Sequence, residues 1–359
     1  MTAIGQTVVK TPKRPDGRET VPRLGRRIWN RTRLFRPVMI LVAALILFFA
    51  LTQPVFLTSA NLSNLLSSVA ALWVLSLGMT FVVITGGVDL SVAAIASLGG
   101  IFLAKTIDAG VPAWFAFALS IIFCAGVGAV VNGVLIGWLR LSFFVVTIAS
   151  MTALTGVVSL WSNAESFYVT SPFIVAIGGG SFLGFPIPVW IMVLMFALFL
   201  YVQSRTFFGR DVFAVGGSFS ASRLSGIPTT RTIVIVYAVS GAMAGLAGVM
   251  ASGRVGAATP QIDGSLPLLA VAAVLLGGTS LLGGIGGVGG TALGVLFVSI
   301  LQNGLSIAGV QSFWQQVITG VILVAAVLGD RIPTARRLAF RTRALSRSVT
   351  DRAESDRTT

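Results

Sequence analysis

The sequence has no histidine, one cysteine and few charges: Asp, Glu, Lys and Arg make up 10% of its 359 residues. Without histidine, the most versatile general base at neutral pH is missing. A His/Cys metal cluster and a nucleophile–histidine pair are excluded with it. The lone Cys124 excludes a disulfide within the chain and lies in an apolar run. Acid is scarcer than base, with 11 Asp and Glu against 25 Lys and Arg. A membrane enzyme thus finds no nucleophile–base pair and no metal site. Ion-driven transport, which relies on intramembrane carboxylates, finds Asp89 as its one serious candidate.

What is abundant is apolar surface. Hydrophobic residues make up 55% of the chain and the mean hydropathy is +0.94. A water-soluble domain cannot hide that much, so part of the solvent is lipid. A span needs about 20 apolar residues, and the uncharged runs give a census. Residues 37–88 hold two spans, broken at Pro54 and the Ser/Asn cluster after it. Single spans follow over 90–107, 109–139 (closed by Arg140), 141–164, about 189–203 and about 232–252. Residues 166–188, rich in Gly and Pro, are expected to be an external loop. The uncharged stretch 264–329 has room for three more spans. The fold class is an all-α membrane protein, a polytopic bundle of about ten transmembrane helices.

The charges orient it. Residues 1–37 carry ten Lys/Arg and residues 331–359 carry eight, leaving seven for the middle. Basic residues favour the cytoplasmic side, so both ends are expected there, which an even number of spans allows. Arg140 and the 204–231 loop, with Arg205, Arg210, Arg223 and Arg231, then fall inside. Lys105, Glu165 and Arg254 fall outside or near the outer boundary. Residues 1–37 are expected to be a disordered arm, 38–330 the membrane domain and 331–359 a disordered tail. The first apolar run begins behind a long polar arm, too far in for an ordinary secretory signal. Nucleic-acid binding is the other reading of so much base, but the base flanks membrane spans, so no nucleic-acid partner is expected.

Three segments stand out. In "TGGVDLSV", residues 85–92, Gly86 and Gly87 break a helix, and Asp89 or Ser91 can cap the next by accepting its free N–H groups. A direct bond from Asp89 to a polar solute is the alternative. In "LLGGTSLLGGIGGVGGTALG", residues 275–294, no Gly-Lys-Ser/Thr follows, which excludes a phosphate loop. Close helix packing with tight turns competes there with a hinge or gate. In "GGSFSASRLSGI", residues 216–227, two glycines lead into a short helix that Gly226 and Pro228 end. Such a helix is too short to be stable alone and needs a docking surface. There is also a faint repeat: "NGVLIGWLRLSF" at 132–143 and "NGLSIAGVQSF" at 303–313.

Taken together and in this order, these segments resemble the membrane subunits of bacterial ABC importers for monosaccharides, the ribose/xylose/arabinose/galactose permease class. "GMTFVVITGGVDLSV", "GRDVFAVGGSFSASRLSGI", "AVAAVLLGGTSLLGGIGGVGGT" and "NGLSIAGVQSFWQQVITGVILVAAV" carry the resemblance, which covers roughly residues 38–330. It implies a non-catalytic permease in the bacterial inner membrane, with no cofactor bound by this chain. ATP would be hydrolysed by a separate cytoplasmic ATPase gripping Gly216, Gly217, Ser218, Ala221, Arg223, Leu224, Ser225, Gly226 and Ile227. A periplasmic or lipid-anchored binding protein would deliver the sugar, and a second copy of the permease, or a related permease, would complete the pathway. The sequence departs from the family pattern at "SFFVVT" (142–147), at "GSLP" (264–267) and at Ser218-Phe219. Those positions bear on substrate and gating rather than on class.

A neutral, hydroxyl-rich solute needs polar walls that bind weakly. Asn132, Asn303, Gln302, Trp73 and Phe143 are the candidates for such a path, with interhelical packing as their ordinary alternative. The rival class is an ion-coupled secondary transporter or a channel for a small polar solute.

Overall fold

The computed structural model describes residues 24–328, with side chains from Val38 onward. The turns before Phe35 belong to a separate unit, and one body runs from Phe35 on. Helix α1 (Leu24–Thr52) begins inside the expected basic arm, so that part of the arm is helical. Residues 1–23 and the tail over 331–359 lie outside the described residues.

Pro54 stops α1 because it has no N–H to donate. Thr58 then opens α2 (Ser59–Ile84), its side chain accepting the Asn61 N–H at 3.3 Å. Gly86, at φ +82°, ends α2. The chain continues through α3 (Val92–Asp108), α4 (Ala113–Gly137) and α5 (Phe143–Ser162). Residues Gly128–Val134 of α4 form a π-helical stretch.

The expected external loop is not plain loop. It holds strand β1 (Phe167–Tyr168), a short helix α6 (Pro172–Gly179) and the hairpin β2 (Ser181–Phe182) and β3 (Phe185–Pro186). Its proline and glycine favour that helix. Pro172 stands at the first helical position, where no N–H is required. Gly178 lies so close to the backbone of Gly253 and Arg254 that a side chain would collide. The chain goes on through α7 (Ile187–Arg205), α8 (Phe207–Gly217), α9 (Phe219–Leu224) and α10 (Thr229–Val255). Strand β4 (Ala257–Ala258) pairs antiparallel with β1. Helices α11 (Leu266–Leu276), α12 (Val288–Ile307) and α13 (Ser312–Leu328) close the body.

Among the described residues, α2, α4, α5, α7, α10 and α12 are long and apolar enough to cross a membrane. Residues 38–52, α11 and α13 are shorter apolar helices. All are apolar nearly all round, so sequence does not rank them, but burial does. The apolar stretch of α2 is 83% buried and that of α10 72%, against 17% for α7. Helices α2 and α10 are the central posts, and α10 packs against α2, α3, α4 and α6. Small residues permit this: Gly245 of α10 sits on Cys124 of α4, and Gly248 sits on the backbone of Ala96 in α3.

Candidate functional site

The break between α2 and α3 is buried inside the body, with Asp89 and Ser91 fully buried. The carboxylate is satisfied there. Its Oδ1 accepts from the Ser91 N–H at 3.1 Å, the Ser91 Oγ at 2.6 Å and the Asn132 Nδ2 at 3.4 Å. Its Oδ2 accepts from the Ser240 Oγ at 2.8 Å. Asn132 also donates to the Ser91 Oγ at 2.7 Å. The expected cap is not made: Ser91 stands at the N-cap of α3 with no side-chain cap bond, and Asp89 instead holds the lead-in turn through the N–H two residues on, as an Asx turn does. The ladder of α3 begins later, with Ser91 O accepting from Ile95 N at 2.9 Å.

Holding that turn is half of the arrangement. The other half joins the break to two distant elements, the π stretch of α4 through Asn132 and the centre of α10 through Ser240. A π stretch puts one extra residue into its turn, which re-aims side chains, and such stretches are frequent at functional sites. Tyr237, one helical turn before Ser240, is also buried. A side chain on Gly87 would stand 2.9 Å from its hydroxyl.

The candidate path residues separate. Asn132 belongs to the Asp89 node. Trp73 is buried, with its ring 5.8 Å from that of Phe196. Phe143 is the half-buried first residue of α5. Gln302 and Asn303 do line a cavity, of about 440 Å³, walled by α2, α11, α12 and α13. Asn64, Ser68, Ser299, Ser306, Gln315, Gln316 and Thr319 line it too, with Arg254 and Asp263. Arg254 donates to the Asn64 Oδ1 at 2.9 Å. Asn303 exchanges two amide bonds with Asn61 across α2 and α12, at 3.0 and 3.1 Å.

Sequence reasoning missed Ser240, Asn61 and the buried pair Thr80–Thr291, whose hydroxyls are 2.7 Å apart. Ser240, Thr80 and Thr291 are single small polar residues in apolar surroundings, and Asn61 is one of several in the Ser/Asn cluster after Pro54, so no pattern marks any of them.

The 216–227 segment is a helix in two pieces. Gly216 and Gly217 do not lead into it as a loop; they are the last turn of α8. That helix is capped by Thr206, whose side chain accepts the Gly209 N–H at 3.1 Å. Ser218 alone separates α8 from α9, and its side chain accepts the Ala221 N–H at 3.3 Å. Gly226, at φ +80°, ends the piece, and Ile227 N donates to Ser222 O at 3.0 Å. Ala221, Arg223, Leu224, Ser225 and Gly226 are exposed, and Leu224 is 90% exposed. No group of three metal-ligating side chains exists among the described residues.

Residues 61–327 match the family described as the branched-chain amino acid transport system / permease component. The chain is 39% identical to the ribose import permease protein RbsC of Bacillus subtilis (strain 168), covering 81% of this chain and 91% of that one. It is 34% identical to the L-arabinose ABC transporter permease protein AraH of Azospirillum brasilense, covering 92% and 97%. It is 32% identical to the D-allose transport system permease protein AlsC of Escherichia coli (strain K12), covering 85% and 92%. No solved structure matches. With a match over most of its length and relatives covered nearly end to end, the chain belongs to this family of transport-system permease components.

Proposed function

We propose that this chain is the membrane-spanning subunit of an ATP-driven importer, carrying a monosaccharide or similar polyol across the bacterial inner membrane. The observation that carries the reading is the likeness, over more than four-fifths of the chain, to permeases named for ribose, L-arabinose and D-allose. The cavity supports the solute class. At about 440 Å³ it falls within the roughly 300–1,000 Å³ of small-molecule pockets. Its uncharged polar lining is hydroxyls and amides, set among leucines and beside Arg254 and Asp263, and those hydroxyls and amides suit a neutral, hydroxyl-rich ligand. The buried setting of Asp89, bonded to three side chains and a backbone N–H, supports an architectural role over a proton relay.

The partners follow from the same reading. A cytoplasmic ATPase docks on α9, where Leu224 presents its apolar side chain to solvent. An apolar side chain held outward at a short helix's end suits a partner's cleft. A binding protein delivers the solute from outside, a second copy of the chain completes the pathway, and lipid covers the outward faces of α4, α5 and α7. Ten spans account for the chain: α1 to α5, α7 and α10 to α13. At 1.5 Å per residue, the 11 residues of α11 reach only about half of the roughly 30 Å hydrocarbon core. The glycine loop 277–287 covers the rest of that crossing, and both termini face the cytoplasm.

Uptake of labelled pentoses and hexoses by proteoliposomes holding this chain, its ATPase and its binding protein tests the reading. ATP-dependent accumulation of one sugar is expected. Accumulation driven by a proton or sodium gradient without the ATPase overturns it.

A further inference from the structure

The three segments singled out in the sequence meet at one point. A side chain on Gly216, in the last turn of α8, would collide with the Ile84 carbonyl oxygen at the end of α2 and stand 2.6 Å from the Gly284 nitrogen. Gly284 N donates to that same Ile84 oxygen at 2.8 Å. A side chain on Gly283 would stand 2.6 Å from the Gly216 oxygen and 3.1 Å from the Gly86 nitrogen. Residues 84–86, 216–217 and 283–284 therefore touch backbone to backbone, with no side chain between them to absorb a displacement. Such packed contacts shift as units rather than deform.

Each arm leads somewhere different. From Gly216 the chain runs through Ser218 alone into the exposed helix α9. From Gly86 it reaches Asp89 three residues on, and so α4 and α10 through Asn132 and Ser240. From Gly283 the glycine loop joins α11 to α12, which supply Leu269 and Gln302 to the cavity wall. The loop's far end is held from α7, where the Gln203 Oε1 accepts the Val288 N–H at 2.8 Å.

We propose that the ATPase's motion enters the bundle through this junction. Gly216 is its positioning residue, the point where α8 and α9 bear on both the α2–α3 break and the glycine loop. The inference rests on the proposed docking of the ATPase at α9. It adds the route by which a push there reaches the solute cavity.

The test uses the complete complex in proteoliposomes and compares Gly216→Ala with Gly156→Ala in α5, outside the junction and the coupling segment, whose added methyl would meet nothing within 4 Å. Gly216→Ala is expected to keep the ATPase bound and hydrolysing ATP while the sugar imported per ATP is lost. Gly156→Ala is expected to import as the unaltered protein does. Unchanged import per ATP in Gly216→Ala, or equal loss in both variants, overturns the proposal. Hydrogen exchange on the unaltered complex decides the matter even if Gly216→Ala fails to assemble. With a non-hydrolysable ATP analogue bound, protection is expected to change over 82–90 and 277–287 as well as over 218–227. A change confined to 218–227 overturns the junction while leaving the docking site intact. An unaltered complex that binds no ATPase overturns the docking and the junction together.

Discussion

Asp89 sits where a carboxylate is costly, and its neighbours set what it can be exchanged for. Four donors converge on its two oxygens, one of them a backbone N–H. Asn offers one acceptor oxygen in the same shape, and the Ser240 hydroxyl can turn to accept from the new amide. Asp89→Asn is therefore expected to fold and to keep most of its transport. Asp89→Ala leaves those donors facing nothing, at about 1–3 kcal/mol for each unsatisfied group. It is expected to lower the melting temperature of the purified protein and abolish uptake. Equal, complete loss of transport in well-expressed Asn and Ala variants would sink this account. Ser240→Ala removes one neutral-to-charged bond, worth about 1.5–3 kcal/mol. It is expected to fall between the two in thermal unfolding. The anomaly of Asp89 was legible in the sequence because a charge in an apolar run must be explained. Its partners were not: Asn132 and Ser240 lie 43 and 151 residues away, and no spacing rule connects them.

At the scale of elements, a short helix depends on its ends. The six residues of α9 cannot persist in isolation. Ser218 caps one end, and Gly226 turns the other in the left-handed region, where L-side chains cost about 1–2 kcal/mol. Gly226→Val is expected to leave the protein in the membrane but reduce ATPase co-purification and uptake. Arg223→Glu and Leu224→Asp should do the same by altering only the exposed surface, since both residues point outward. Normal uptake in all three variants would reduce the segment to a loop. These ends were legible because Gly, Pro and Ser act through local backbone chemistry. The π stretch of α4 was not, because it depends on how closely neighbouring elements approach, and in α6 only Pro172 was a local signal, while the close approach of Gly178 to α10 was not. The Asn-Gly pairs at 132–133 and 303–304 show the same limit. Sequence showed their likeness, and packing gives it a common content: each asparagine bonds across helices while a side chain on the following glycine would clash with a neighbour, Val234 or Phe49.

For the whole molecule, orientation follows from where the cations stand. In the proposed arrangement, Arg205, Arg210 and Arg223 lie on the inner side and are exposed, as the preference of Lys/Arg for the cytoplasm requires. The two cations that this arrangement places outside are held. Lys105 sits over the Phe167 ring at 4.7 Å, and Arg254 is bonded to Asn64. Both therefore serve the protein's own surface, and neither opposes the inner majority. The pairing of β1 with β4 adds a further constraint, because it holds residues 167–168 beside 257–258. In the proposed arrangement both lie outside, α7 crosses once from Ile187 to Arg205 into the 204–231 stretch, and α10 crosses back from Thr229 to Val255. Reporter fusions within 204–231 and after Thr359 are expected to report cytoplasm, and fusions within 259–264 the outside. A periplasmic signal from either of the first two, or a cytoplasmic one from the third, overturns the even-span arrangement. Arg254→Gln supplies the complementary measurement. It removes a cation that faces the cavity rather than the cytoplasm, so fusion topology should stay as it was while sugar uptake weakens.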